Sequence, residues 1–300
     1  MTQGSLETEQ HIMTRIPWGA EGLPVVAQSF WGPDLQKMGK QFNLTSGQCL
    51  HWHPDYEAAK KGGDAHAAIE AIKTVITSQG LANIAQKIAG KDAIFLAPYV
   101  PKANGGRNML PITFAHFLAR HFGTGVAEDV RQVARVGRKE MDSIDKLLHQ
   151  PDFAGTIEAG RNYVLVDDST KDGGTAATLR SFVEQAGGKV ILVATLANCS
   201  GSMRSLSSPH PGARELTGLL KQNLAATASQ IDTLRKKVGP HVGNILEKYC
   251  HFGVDTLTGG EARAAAEYGH NLRGTLERRC RAEGNPSGPQ GRAQGSGLLH

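Results

Sequence analysis

The chain has 300 residues, 40% hydrophobic and 20% charged, with a formal net charge of +5, a balance that belongs to a folded globular protein. No run approaches the roughly 18 consecutive apolar residues of a membrane span, and residues 1–20 lack the continuous apolar core of a secretory leader, so no membrane is expected and the expected compartment is the cytoplasm. The basic balance suits a polyanionic ligand, whether nucleic acid, phosphate or pyrophosphate, without choosing among them.

Residues 1–45 mix Pro, Gly and Trp with short apolar pieces such as LPVVAQSF and predict an irregular arm or hood. Ala65, Ala68, Ile69, Ile72, Val75 and Ile76 recur at helical spacing, which predicts a helix over about 63–78 and a shorter one at about 80–89. DAIFLAPYV (92–100) is a short apolar run bounded by Asp and Pro, the pattern of a buried strand. The loop PKANGGRN leads to MLPITFAHFLARHFG, a helix that Asn108 can cap and whose first turn tolerates Pro111. GVAEDVRQVARV predicts a strand near 125–135, with helix as the alternative, and residues 136–160 predict a long polar excursion.

NYVLVDD (162–168) is the clearest strand in the chain. TAATLRSFVEQAGG is its helix, with a glycine stop, and KVILVATL (189–196) is another buried strand. Beyond the connector SGSMRSLSSPHPGA, helical patterns follow at about 212–237, 242–250 and 259–280, and residues 284–300 have the composition of a disordered tail. Strand, helix and strand at this spacing predict an α/β fold, a parallel sheet flanked by helices. The core is expected over 46–200, with the arm or hood at 1–45 and a helical appendage at 201–283. Ligands of such sheets bind beyond the carboxyl ends of the strands, where the loops at 98–108 and 167–175 share one rim.

The rim carries the chemistry. Asp167 and Asp168 end a buried strand, where adjacent carboxylates repel and lose hydration unless hydrogen-bond donors or positive charge compensate them. Two vicinal ribose hydroxyls near a magnesium ion would do so. Gly173 and Gly174 let backbone amides face inward, and the helix beginning at Thr175 points its positive end at the same spot, a cradle for a terminal phosphate. A strand, an acidic turn and a helix without a ligand is the plainer alternative. Neither the P-loop nor the GxGxxG pattern is present.

A buried strand, Asp-Asp, four residues, Gly-Gly-Thr and a helix resembles the phosphoribosyl pyrophosphate signature of type I phosphoribosyltransferases. DAIFLAPYVPKANGGRNMLPITFAHFLA is similar to that family's strand, pyrophosphate loop and helix, and FAGTIEAGRNYVLVDD to its approach to the signature, so the likeness covers about 50–200. AAKKGG (58–63) and LTGGEA (257–262) further resemble segments of poorly characterised bacterial members.

The resemblance implies a Mg2+-dependent transferase of nucleotide metabolism, a homodimer, that passes the phosphoribosyl group of phosphoribosyl pyrophosphate to a small nitrogenous acceptor. Asp167 and Asp168 would hold the ribose hydroxyls and the metal, and Lys171, Asp172, Gly173, Gly174 and Thr175 would wrap the 5′-phosphate. Lys102 and Arg107 would contact pyrophosphate, while Arg138, with Arg135 and Lys139, falls where the family has a loop that closes over the site. Two positions depart from the pattern. Asp172 replaces the usual Thr or Ser before the glycine, and Lys171 stands where purine-salvage members carry an acid. A non-catalytic sensor of phosphoribosyl pyrophosphate or of a nucleotide, its basic helices touching nucleic acid or a partner, is the alternative.

Weaker signals complete the reading. Cys49, His51 and His53 are close in sequence but lack a zinc spacing. Cys199, Cys250 and Cys280 are scattered, and with no CxxC pair neither a zinc site nor a disulfide framework is indicated. Trp52 and Tyr56 are candidates for a hood over the acceptor, with core packing as the default. NLRGTLERRCR (271–281) is basic at helical spacing, by default a solvated face.

Overall fold

Side chains along Asn162–Thr170 alternate between two apolar environments: Val164 and Val166 belong to one core cluster, Tyr163 and Leu165 to another. That is the period of two of a strand covered on both faces. A computed structural model describes residues 14–31, 49–100, 107–133, 141–199 and 221–283. Its strands are β1 Pro24–Phe30, β2 Ala93–Leu96, β3 Val126–Ala127, β4 Arg131–Val133, β5 Asp152–Ala154, β6 Asn162–Thr170, β7 Lys189–Asn198 and β8 Lys221–Asn223. Its α-helices are α1 Ala65–Val75, α2 Ser78–Ile88, α3 Met109–Phe122, α4 Ser143–Leu148, α5 Gly174–Gln185, α6 Ala228–Val238, α7 Val242–Cys250, α8 Gly259–Tyr268 and α9 Leu272–Glu283.

The main sheet runs β3-β2-β6-β7-β1-β8. Its first five strands are parallel, and β8 closes the edge antiparallel to β1. On one face Ile72, Ile84, Phe114 and Leu118, from α1, α2 and α3, pack over Phe95, Val164 and Leu192. On the other, Leu179 and Val183 of α5 cover Tyr163, Leu165 and Val193. The chain therefore has the expected α/β architecture, a largely parallel sheet flanked by helices.

Caps set the helix starts. The Asp64 carboxylate accepts from His66 N and Ala67 N at the head of α1, and Asn108 Oδ1 accepts from Leu110 N at the head of α3. Capping boxes formed by Thr227 with Gln230 and by Thr258 with Glu261 begin α6 and α8.

Four segments differ from expectation. Residues 24–30, read as part of an irregular arm, form β1, an inner strand paired with β7 and β8. The alternation was hidden because the strand is buried on both faces and carries polar Gln28 and Ser29. Gln28 Oε1 accepts from Thr77 N at 3.1 Å and Ser29 donates to Leu196 O at 2.6 Å, so both have a partner in the core, although Gln28 Nε2 is buried without one among the described residues.

The expected strand near 125–135 is split into β3 and β4, and the polar excursion over 136–160 holds α4 and β5. Ile144 and Leu147 of α4 share a third core with Leu234, Leu246, Leu257 and Leu276, so the C-terminal helices build onto a segment of the expected core region. Of the helical pattern expected at 212–237, residues 212–220 lie outside the described residues, Lys221–Asn223 form β8, and a helix runs from Ala228 to Val238. The tail at 284–300 lies outside the described residues, among which no helix is long and apolar enough to cross a membrane.

Candidate functional site

Parallel pairing with β7 continues past the acidic pair, Asp167 opposite Thr195 and Thr170 opposite Asn198, so the strand holds both carboxylates in register at its carboxyl end. The chain then turns through Lys171–Gly173 into α5. Gly173 has φ +81°, and a side chain there would also strike Leu224 Cδ1 at 2.5 Å, so the turn requires glycine twice over. Asp167, Asp168 and the first turn of α5 line one cleft of about 700 Å³. It pairs buried acid with a helix N-terminus, whose free N–H groups favour anions.

Asp168 is 3% exposed. Its Oδ2 accepts from the Lys60 ammonium, and from Asn108 Nδ2 at 3.1 Å. Burial opposes ionisation of Asp168, yet the Lys60 charge and these hydrogen bonds hold its carboxyl below the usual range. Burial also works to lower Lys60, but the Asp168 charge wins and raises it. Half-buried Asp167 accepts from Asp168 N at 2.8 Å; burial and then the Asp168 charge push it up to about 8. The pair is thus a polarised couple, with the inner carboxylate charged and the outer one prone to hold a proton.

Lys60 comes from a π-helical turn, Ala58–Gly62, that Gly63 ends at φ +75°. Buried Ala59 and Tyr56 anchor that turn in the main core.

Asp172, which stands where the resemblance expects Thr or Ser, has fixed partners. Ser143 Oγ donates to Asp172 Oδ2 at 2.9 Å, which draws the carboxylate toward α4. The Asp172 carbonyl accepts from the Thr258 hydroxyl, and a side chain at Gly260 would meet Asp172 Cα at 2.5 Å. The first turn of α8 therefore sits against the loop backbone.

Behind it, Arg15 forms a bidentate pair with Glu261, at 2.6 and 2.7 Å, with side-chain exposures of 1% and 4%. The same guanidinium donates to Gln150 Oε1, Gly174 O and Thr178 Oγ1, at 2.6, 3.1 and 3.3 Å, and lies over the Phe252 ring. This buried pair is satisfied throughout, the condition under which such pairs persist.

Asp167, Asp168, Lys171, Asp172, Gly173, Gly174 and Thr175 all line the cleft. Arg107 does not line it; exposed, it lies with its guanidinium 5.0 Å from the Tyr99 ring centroid. Lys102, Arg135, Arg138 and Lys139 lie outside the described residues. Tyr56 lines the cleft and packs edge-on to Trp31, with ring centroids 5.3 Å apart, while Trp52 is not among the lining residues. His51 packs on Trp31 and Tyr56, and His53 Nε2 meets Thr74 Oγ1 at 3.1 Å.

Among the described residues no three His, Cys, Asp or Glu side chains are grouped to hold a metal. Magnesium held directly by Asp167 and Asp168 fits the donor set poorly, because three of the four carboxylate oxygens are engaged: Asp168 Oδ2 by an ammonium and an amide, Asp168 Oδ1 by the Ser169 hydroxyl at 3.4 Å, and Asp167 Oδ1 by a backbone N–H.

Sequence reasoning missed Lys60, Trp31, Ser143, Arg15 and Glu261 as individuals. Lys60 and Glu261 lay inside the AAKKGG and LTGGEA segments, but their roles depend on partners 108 and 246 residues away.

Fold and site together define an α/β protein with a cleft at the carboxyl edge of a parallel sheet. No family model matches the chain. Over 232 residues, 77% of its length, it is 31% identical to Protein TraN of Escherichia coli, of which it covers 46%. Over 131 residues, 44% of its length, it is 29% identical to an uncharacterized protein of Haemophilus influenzae, of which it covers 29%. The chain thus spans less than half the length of either relative.

Solved structures similar to it include adenine phosphoribosyltransferases. That of Thermoanaerobacter pseudethanolicus is 18% identical with a TM-score of 0.28, over 48% of this chain and 82% of that one. That of Saccharomyces cerevisiae is 18% identical with a TM-score of 0.29, over 49% and 77%. Likeness of this extent fixes neither activity nor substrate.

Proposed function

We propose that the cleft binds phosphoribosyl pyrophosphate and that the protein transfers its phosphoribosyl group to a small nitrogenous acceptor. The observation that carries this reading is the Asp172 carboxylate held by Ser143. That contact draws the carboxylate aside from the head of α5, where the other nearby anion, Glu261, is paired with Arg15, while the adjacent acidic pair offers acceptors for a sugar diol.

In the reaction proposed, the bond from the anomeric carbon to the pyrophosphate oxygen breaks, the acceptor nitrogen bonds to that carbon, and the nitrogen loses its proton. The chain's part is to orient the ribose through Asp167 and Asp168, to bind the 5′-phosphate on the backbone of 171–175, and to exclude water. Lys102, Arg107 and Arg138 are the cations proposed for the leaving pyrophosphate; Arg107 would have to leave Tyr99 to serve.

A second reading, a sensor that binds the ligand without turnover, is favoured by that displaced arginine and by Lys60 on the acidic pair. Calorimetry with phosphoribosyl pyrophosphate on the parent and on Asp167→Asn/Asp168→Asn tests both. Binding that weakens at least about tenfold in the variant is expected, and no heat at millimolar ligand would refute both readings. Given binding, pyrophosphate release across a panel of nitrogenous bases separates enzyme from sensor.

A further inference from the structure

We propose that Lys60 is the resident cation of the Asp167–Asp168 pair and excludes a divalent ion from it, so that a sugar diol binds there without a protein-held metal. The inference deepens the sugar-phosphate reading of the cleft and rests on it for the diol alone; the exclusion of metal stands on Lys60 itself.

Two neighbouring lysines have different fates. Lys61 is exposed and pairs with Glu57 at 2.5 Å, an ordinary contact one helical turn apart. Lys60 is turned inward, its side chain 18% exposed against 5% for that of Asp168, and it spans from one face of the sheet to the end of β6. The π-helical register of Ala58–Gly62 aims it there. Such π-helical turns are rare and recur at functional sites. This one is fixed on both sides, by Ala59 and Tyr56 in the core and by the left-handed Gly63, which abuts the Arg107 backbone. The lysine is therefore delivered by a constrained backbone, not by a loose surface stem.

The chemistry at the carboxylates excludes a shared role. A magnesium ion needs near-octahedral oxygen ligands at roughly 2.0–2.1 Å. Here Asp168 Oδ2 already takes an ammonium and the Asn108 amide, Asp168 Oδ1 takes the Ser169 hydroxyl at 3.4 Å, and Asp167 Oδ1 takes a backbone N–H, so three of the four carboxylate oxygens are engaged. An ammonium and a dication cannot occupy the same carboxylate oxygen. Lys60 supplies the charge that adjacent buried carboxylates require, and it lines the cleft beside them, within reach of a bound diol.

The test uses Mn2+ alone as a probe, counting free ion by electron paramagnetic resonance with the full chain. The parent is expected to bind no Mn2+ at millimolar ion, and Lys60→Met to gain one site that Lys60→Met/Asp168→Asn loses. A parent site abolished by Asp168→Asn would overturn the proposal, and so would a Lys60→Met protein with the parent's circular dichroism and no Mn2+ site. If Lys60→Met does not fold, the parent measurement still decides: a parent site lost in Asp168→Asn overturns, and its absence supports.

A second arm titrates ribose 5-phosphate in EDTA and in excess magnesium. Parent affinity is expected to agree within about twofold, and a tenfold weakening in EDTA would overturn the proposal. Absence of ribose 5-phosphate binding in both conditions refutes the sugar reading instead, and leaves the Mn2+ result to judge Lys60.

Discussion

The acidic pair and the phosphate-loop turn leave the same strand within a few residues of each other, yet they are held by opposite means. Asp168 is held by charge, through Lys60 and Asn108 reaching across from one face of the sheet. The turn at 172–174 is held by close backbone packing against Thr258 and Gly260 and by the buried Arg15–Glu261 pair. The sugar-phosphate site proposed for this cleft would benefit from that division. The diol half needs acceptors with defined ionisation, whereas the phosphate half needs backbone N–H groups fixed in space with no competing anion. The first half should respond to charge substitutions and the second to changes of shape.

The largest expected effect breaks the phosphate half from behind. Glu261→Ala leaves the Arg15 guanidinium buried without its carboxylate, which should cost about 3–5 kcal/mol in urea unfolding. Replacing both partners with apolar residues, Arg15→Met/Glu261→Leu, should recover most of that loss, because no uncompensated charge remains. Gly260→Ala comes next. The added methyl meets the Asp172 backbone, so a loss of about 1–3 kcal/mol in stability is expected, together with weaker ribose 5-phosphate binding by calorimetry.

Ser143→Ala sharpens the contrast with less disturbance. It releases the Asp172 carboxylate toward the anion site and should lower ribose 5-phosphate affinity by about 1 kcal/mol, roughly fivefold, with thermal stability little changed.

The remaining effect concerns the diol half and is read as a slope against pH. Asp167 is raised from 3.8 to about 8, so between those values the folded protein holds a proton that the unfolded chain releases. Its contribution is therefore full below the unfolded value and is lost as pH rises through about 8. Denaturation midpoints measured across pH 4–8 should show this decline, and Asp167→Asn should flatten it.

Much of this organisation was legible in sequence because it is local. The apolar run 163–166, the two aspartates after it and the glycine pair after four more residues lie in one short stretch, and local patterning is enough to make them strand, rim and turn. Asn108 was recognisable as a helix cap, and it does cap α3, but the same side chain also donates to Asp168. Its second role depends on β2 and β6 being neighbours, which no local pattern states. β1 escaped notice because an inner strand buried on both faces has no polar side to alternate with. Its Gln28 and Ser29 find partners only in α2's approach and in β7.

What the sequence by itself determined is the α/β pattern and the acidic and glycine-rich rim, since both follow from periodicity and residue type over short stretches. Only the tertiary structure decided which charge sits on the aspartates, where Asp172 points and what braces the phosphate turn. Those outcomes depend on Lys60, Ser143, Thr258 and Glu261, residues brought to the rim from α/β core and C-terminal layer by packing of elements far apart in the chain. Electrostatic and steric partners act over a few ångströms of space, and sequence separation carries no measure of that distance.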